Sequence, residues 1–498
     1  MDDQKFFESL RDMAGEGLKL WESPSVSVGV VKDGKTVFCG GFGLRDVEKN
    51  LPADGETLYQ IGSCSKAFTA ALVAILVDQG KLDWDAPVTT YVPEVRFYDD
   101  FTTEAVTLRD LLCHRTGLPR HDAYWIDGPC TRRGMVENLR NMQPAWSFRS
   151  NWCYQNTCFV AVGMLIEALS GKTWEEFVRE NLLEPIGMTR TTFFVDDIAG
   201  DPNHAEPYDR VVPTDLTGMT KIPFLKSDRE DRAKGIGAPY GPAGSIMSTV
   251  RDMLKWVEFN LNDGKVGDKQ IISEANMKEL HKPQMLMSTP LLMDYPEMDF
   301  YSYGLGWFLE TYRGHKMVEH GGNINGFSAL TTMIPDQKLG VVCLVNFNDS
   351  FNTYATTYDI LDSYLGAEGG DWHNRMRAFI ADTFRAMLEQ NKGADSEQIP
   401  NTTPTHPIEA YAGTYRNACY GDIVIAQKDG KLTFTYNKRE SPLTHFHYDT
   451  FRIDDVHALF NGMTFSFETG KNGKVEAIRF GIVMNPAAKD EIFTKVEG

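Results

Sequence analysis

The sequence predicts an α/β (α+β) architecture in two parts: a large core with an antiparallel sheet flanked by helices, then a smaller all-β domain. Three observations carry that expectation. Hairpin patterns lie near both ends of the first 390 residues, strongly apolar helices lie between them, and past residue 400 the texture changes to short alternating strands punctuated by turns. At 498 residues the chain also exceeds one ordinary domain, so more than one core is expected.

Taken in order, residues 4–20 place Phe6, Phe7, Leu10, Met13 and Leu18 at helical spacing. Val26, Val28 and Val30 then alternate as in a strand, and Lys32-Asp33-Gly34-Lys35 carries the Asp-Gly pair of a tight hairpin turn, with the return strand over 36–41. Residues 64–79 set Phe68, Ala71, Leu72, Ile75 and Leu76 on one helical stripe, stopped by Gly80. A second buried helix is predicted over 157–170, ended by Gly171, and Thr173-Trp174-Glu175-Glu176 has the form of a capping box. Residues 190–240 and 282–301 read as long surface excursions, polar and without period. Strands are expected over 326–334 and 340–347 around Pro335-Asp336-Gln337, and a helical segment follows to about residue 392. The pattern gives residues 1–390 as the core domain, 391–407 as a linker and 408–498 as an all-β barrel or sandwich, with turns at Asp429-Gly430 and Asn472-Gly473.

Composition narrows the function. Hydrophobic residues at 42% and charged residues at 24% are the balance of a folded globular chain. The 50 Lys and Arg against 69 Asp and Glu give a formal charge of -19, which repels a phosphate backbone, so nucleic acid is not an expected partner. The longest apolar run, Ala70 to Val77, is far short of a bilayer span, and the acidic start lacks a secretory signal, so no membrane association and a cytoplasmic location are expected. The eight cysteines show no CxxC pair or metal-ligand spacing, and the pair His445 and His447 lacks a third ligand; no metal or cofactor is expected.

The chemistry centres on Ser63-Cys64-Ser65-Lys66, the one S-x-x-K in the chain, at the start of a strongly apolar helix. Three positions apart on a helix, Ser63 and Lys66 share a face. Free N–H groups at the helix start suit an anion formed beside Ser63, and a partly buried lysine has its pKa pulled down enough to accept the serine proton. A capping serine followed by a solvated lysine gives the same four letters, so order along the chain decides. Tyr154-Gln155-Asn156 precedes the second buried helix, and His320-Gly321-Gly322 precedes the second hairpin. Cys64 points about 100 degrees away from Ser63 on a helix and reads as packing. His114 reads as a residue that orients a loop.

This ordered set resembles the serine β-lactamase and penicillin-binding-protein superfamily, in particular its class C β-lactamase, esterase and D-aminopeptidase branch. Leu111-Leu112-Cys113-His114-Arg115-Thr116-Gly117-Leu118-Pro119, the segment Gly241 to Thr249, and Tyr303-Gly304-Leu305-Gly306-Trp307 are similar to segments of that branch. The tail beginning Tyr411-Ala412-Gly413-Thr414-Tyr415 resembles an appended lipocalin-like domain. The resemblance implies a β-lactamase-like serine hydrolase core with Ser63 as acylated nucleophile and Lys66 and Tyr154 sharing the proton transfers. Asn156, His320, Gly321 and Gly322 would bind substrate, and the N–H groups of Ser63 and Asn323 would form the oxyanion hole. Where lactamases of the family carry Lys-Thr-Gly this chain has His320-Gly321-Gly322, losing a permanent cation and a hydroxyl. That change is similar to D-aminopeptidases and some esterases, and it leaves His320 as either a leaving-group acid or a structural residue. The expected activity is that of an esterase or amidase, D-aminopeptidase-like, on small ester, amide or peptide-like substrates. An acyltransferase, a β-lactamase, or a penicillin-binding protein without turnover remain alternatives, and a role of the β-domain in pairing copies of the chain stays open.

Overall fold

The structure, a computed structural model, describes residues 3–126, 128, 130–210, 219–222, 237–290, 294–367, 370–396, 398–455, 460–483, 485 and 487–496. The chain opens with helix α1 (Asp3–Trp21) and the hairpin β1 (Ser25–Lys32) and β2 (Lys35–Asp46), followed by β3 (Leu51–Pro52). Asp33 and Gly34, with φ of 52° and 71°, supply the two left-handed positions that the tight turn needs. Six further strands come from late in the core: β4 (Met285–Leu286), β5 (Met298–Tyr303), β6 (Phe308–Tyr312), β7 (His315–Ile324), β8 (Phe327–Ile334) and β9 (Leu339–Val345). They join the N-terminal strands in one antiparallel sheet of order β4-β5-β6-β7-β8-β9-β1-β2-β3. β1 is therefore an inner strand, with Val26 opposite Val345 on one side and Phe42 on the other.

The alternation of Val26, Val28 and Val30 marks one apolar face, yet both faces of β1 are buried. The valines face α1 and the late helices α5 (Asn352–Leu365) and α6 (Trp372–Ser396). On the other face a Cβ at Gly29 would lie 2.5 Å from Val250, and Ser25 and Ser27 pair their hydroxyls with Tyr59. That second face receives α4 (Val250–Leu261), beyond which lie α2 (Ser65–Asp78) and α3 (Asn156–Ser170). α2 is buried from Ser65 to Leu76, because its surface is apolar nearly all round. Phe68 stacks on Trp256 with ring centroids 4.0 Å apart. Each such fully buried side chain contributes about 1.5–3 kcal/mol. α3 closes on Gly171 in the left-handed conformation, and both bonds of the Thr173–Glu176 capping box are present.

Three segments differ from the sequence expectation. Residues 282–301 are not only a surface excursion, since they supply β4 and the start of β5 at the sheet edge. Within 190–240, residues 211–218 and 223–236 lie outside the described residues. The described part packs inward through Phe193, Phe194, Ile198 and Ala205. The lack of an apolar period over 391–407 reads as linker, yet α6 runs on to Ser396, carried by residues of good helix propensity such as Glu389, Gln390 and Lys392.

The C-terminal part is a closed eight-stranded antiparallel barrel: β10 (Gly413–Asn417), β11 (Gly421–Lys428), β12 (Lys431–Tyr436), β13 (Arg439–His447), β14 (Thr450–Ile453), β15 (Thr464–Thr469), β16 (Val475–Phe480) and β17 (Glu491–Lys495). Tyr415 opposite Lys495 closes it, which leaves no free sheet edge. The barrel sits on the helical side of the core. Tyr420 hydroxyl meets His121 Nδ1 at 2.5 Å, Asn138 donates to Cys419 O at 2.8 Å, and Asn437 donates to Ile126 O at 2.7 Å.

Candidate active site

Ser63 sits in a single 3-10 turn, Gly62–Cys64, that leads directly into α2. The turn is tied down from two directions. Ile61 N–H donates to Ile246 O, Ile246 N–H donates to Ser65 Oγ, and Ser65 Oγ donates to Gly62 O. The segment 241–249 is thus the platform of the turn. From the sheet, the end of β7 packs against it so closely that a Cβ on Gly322 would lie 2.0 Å from Ile61 O and 2.9 Å from Ser63 N. Only glycine permits that approach.

Lys66, in the first turn of α2, is fully buried, with Nζ 3.0 Å from Ser63 Oγ. Nζ also lies 2.8 Å from Asn156 Oδ1 and 2.7 Å from Ala243 O. Burial pulls its pKa well below the usual lysine range, and the positive charge of Arg120 adds to that. A neutral amine has two N–H donors and one lone pair. As an ammonium Nζ donates to Ser63 Oγ, Asn156 Oδ1 and Ala243 O; as a neutral amine bonded to the latter two it has a lone pair free for the Ser63 hydroxyl proton.

Tyr154 lies just before α3 and donates its hydroxyl to Ser63 Oγ at 2.7 Å. Burial pushes its phenol well above the usual range, so on its own it stays protonated. The run-in to α3 is fixed by Gln155, whose side chain caps Thr157 N–H and donates to Pro119 O, while its N–H donates to His114 Nδ1. His114 is thereby the orienter of the tyrosine segment, with its own pKa held far down by burial.

Asn156 is placed differently from the expected contact with substrate. Its Oδ1 faces Lys66 and its Nδ2 donates to both carboxylate oxygens of Asp122 at 3.1 and 2.9 Å. The side chain holds the lysine and is not among the residues that line the cleft over Ser63. Asp122 in turn accepts from Arg120 Nε and Trp125 Nε1. Sequence reasoning missed Arg120 and Asp122. Their signal was a charged triplet, Arg120-His121-Asp122, directly after an apolar motif segment.

A cleft of about 460 Å3 opens over Ser63, walled by Trp152, Tyr154, Phe308, His320 and Tyr354, with Arg120 and Asp349 as its charged residues. His320 turns both ring nitrogens away from a leaving-group role. Nδ1–H donates to Gly321 O at 2.6 Å, so Nε2 accepts from the Tyr303 hydroxyl at 2.9 Å. Burial and the neighbouring lysine push its pKa down to about 3, and the ring is a neutral wall. Gly321 lines the cleft, where a Cβ would lie 2.3 Å from the Tyr354 hydroxyl oxygen; Gly322 faces the nucleophile turn instead. Cys64 is turned inward, its thiol donating to His320 O and pushed up to about 12 by burial.

The register of β7 and β8 sets the backbone of Asn323. Ile324 and Phe327 flank a two-residue turn, so they form the hydrogen-bonded closing pair and Asn323, opposite Ser328, is the next, non-bonded one. β6 pairs with β7 only as far as Glu319. The N–H of Asn323 therefore points out of the ladder on the open edge, where Gly62 and Ser63 lie: a Cβ on Gly62 would be 3.0 Å from Asn323 N.

Residues 18–364 match the family model described as Beta-lactamase, and residues 397–495 match one described as a domain of unknown function, DUF3471. Among curated proteins, the chain is 29% identical over 454 residues to the unguisins hydrolase ungD of Aspergillus violaceofuscus, covering 84% of this chain and 77% of that protein. The octameric penicillin-binding protein homologue from Pyrococcus abyssi shares the fold with a TM-score of 0.63 at 22% identity, over 99% of this chain and 100% of that one. The D-amino acid amidase from Ochrobactrum anthropi SV3 superposes with a TM-score of 0.56 at 20% identity, over 72% of this chain and 99% of its own.

Proposed function

The chain belongs to the beta-lactamase family of serine hydrolases, and on that premise we propose that it cleaves an amide or ester bond of a small acyl or peptide-like substrate through an acyl-enzyme on Ser63. One observation carries the reading: Lys66 Nζ and the Tyr154 hydroxyl both converge on Ser63 Oγ, at 3.0 and 2.7 Å, beside the cleft. In acylation Lys66 takes the hydroxyl proton as Ser63 Oγ bonds to the substrate carbonyl carbon. The carbonyl oxygen gathers charge against the N–H groups of Ser63 and Asn323. Tyr154, already a donor to Ser63 Oγ, passes its proton to the departing amine or alkoxide and is reprotonated from Lys66, so the two act as one relay. Water then repeats the steps in reverse and frees the acid.

A neutral His320 offers no charge to the carboxylate of a penicillin, which supports amides or esters over β-lactams. The test is turnover and intact mass on nitrophenyl esters, D- and L-aminoacyl anilides and a chromogenic cephalosporin. Ester or anilide turnover is expected, with a loss of about 10³-fold or more in Ser63→Ala. Activity that survives in Ser63→Ala overturns the acyl-enzyme, and efficient cephalosporin turnover overturns the reading of His320.

A further inference from the structure

Of the charged groups around the cleft, one makes no direct polar contact among the described residues. Lys66 is bonded to Ser63, Asn156 and Ala243, and Arg120 is paired with Asp122. Asp349 lines the cleft from the loop between β9 and α5, and among the described residues its carboxylate accepts no hydrogen bond and closes no ion pair.

Helix capping does not account for it. Ser350 Oγ accepts from Asn352 N–H at 3.3 Å and Ser350 O accepts from Thr353 Oγ1 at 3.0 Å, so the polar contacts at the start of α5 are made by Ser350 and not by Asp349. The Asp349 backbone is left-handed, φ 45°, a conformation that aspartate adopts more readily than most residues. The side chain is reached by water yet walled by protein, in the concave floor of the cleft. Burial and the charge of Asp209 raise its pKa, while Arg210 and Arg120 pull it the other way. A cation brought into the cleft would meet that carboxylate on the same wall as Ser63. Phe351 and Tyr354, also on the cleft wall, offer ring faces that favour an ammonium over a neutral group.

Resting on the hydrolase reading above, we propose that Asp349 anchors a positively charged amine of the substrate, so that the preferred substrates are ammonium-bearing amides or esters.

The test compares matched pairs in wild type, Asp349→Asn and Asp349→Lys. One arm sets alanine p-nitroanilide, D and L, against its N-acetyl and N-succinyl forms; the other sets phenylacetyl-lysine against phenylacetyl-norleucine. Wild type is expected to prefer the charged member on one arm by roughly 10- to 100-fold in kcat/KM. In Asp349→Asn that ratio collapses towards one, chiefly through KM, and in Asp349→Lys it inverts in favour of the succinyl form if the preference lies on the first arm. No preference on either arm, or a preference untouched in Asp349→Asn, overturns the proposal. If no probe acylates Ser63 the hydrolase reading fails separately. Calorimetry of alaninamide against neutral lactamide then still decides, since selective alaninamide binding lost in Asp349→Asn supports the amine site and its absence overturns it.

Discussion

At the scale of single residues, the proposed acyl-enzyme chemistry turns on where one proton sits. The proposal makes neutral Lys66 the reactive form, so kcat/KM is expected to fall as pH drops through the lowered pKa of this amine. Asn156→Asp tests the assignment, because a carboxylate 2.8 Å from Nζ stabilises the ammonium. The acid limb of the pH profile should move upward by about one unit or more, with the rate at high pH partly recovered; an unmoved limb contradicts Lys66 as the group that titrates. The convergence of Ser63, Lys66 and Tyr154 was legible because spacing and order along the chain point to it. Asp122, Arg120 and the carbonyl of Ala243 were not. Asp122 meets Asn156 across 34 residues and Ala243 meets Lys66 across 177, and a backbone carbonyl leaves no mark in a side-chain pattern. The same holds for Asn156, whose motif position is clear and whose hydrogen bonds to Lys66 and Asp122 are not.

At the scale of elements, the active centre is a contact between one strand end and one helix start. Gly322→Ala pushes β7 off the 62–64 turn, since the added carbon would sit 2.0 Å from Ile61 O. A displacement of this order should lower kcat by about 10²-fold, with circular dichroism unchanged; a variant of wild-type rate contradicts the close packing as the source of the oxyanion geometry. The strands and buried helices were legible from period and turn residues, as at Asp33-Gly34 and Gly171. The edge strands β4 and β5 escaped because an edge strand has one wet side and little apolar pattern, with Leu286 and Phe300 exposed. The inward packing of Phe193 and Phe194 escaped for the opposite reason, since two apolar residues among Asp, Pro and Gly show no period.

At the scale of the whole molecule, buried titratable groups set the response to acid. Burial holds His121 and His373 at about 4, His281 and His320 at about 3, and His114 far below its usual value. Below about pH 6.5 the unfolded chain binds protons these rings refuse, so their contribution is intact above that pH and is lost as pH falls towards 3. Glu319 and Asp359, pushed up to about 7, and Glu310, also raised, act with the opposite sign, losing stability as pH rises from about 4.5 to 7. The two sets oppose each other between about pH 4.5 and 6.5, and below about 4.5 carboxylates held under their usual range by hydrogen bonds that outweigh burial, Asp110 and Asp46 among them, add to the histidines. The melting temperature should thus decline gently to pH 4.5 and steeply beneath it; a flat profile down to pH 3.5 contradicts the buried neutral rings. The two-part plan was legible from the change of texture past residue 400, whereas the seating of the barrel on the core rests on pairs such as His121 and Tyr420, 299 residues apart. The place of β1 inside the sheet also bears on biosynthesis. Its partner on one side is made at once, but the other, β9, ends at Val345. At roughly 5–20 residues per second the roughly 300 residues between them take about 15 s to a minute to translate. A valine-rich strand with a bare hydrogen-bonding edge waits beside the ribosome for that time, and an unpaired edge of this kind is a template for pairing with other chains. The barrel, built from consecutive strands, can close as soon as it emerges.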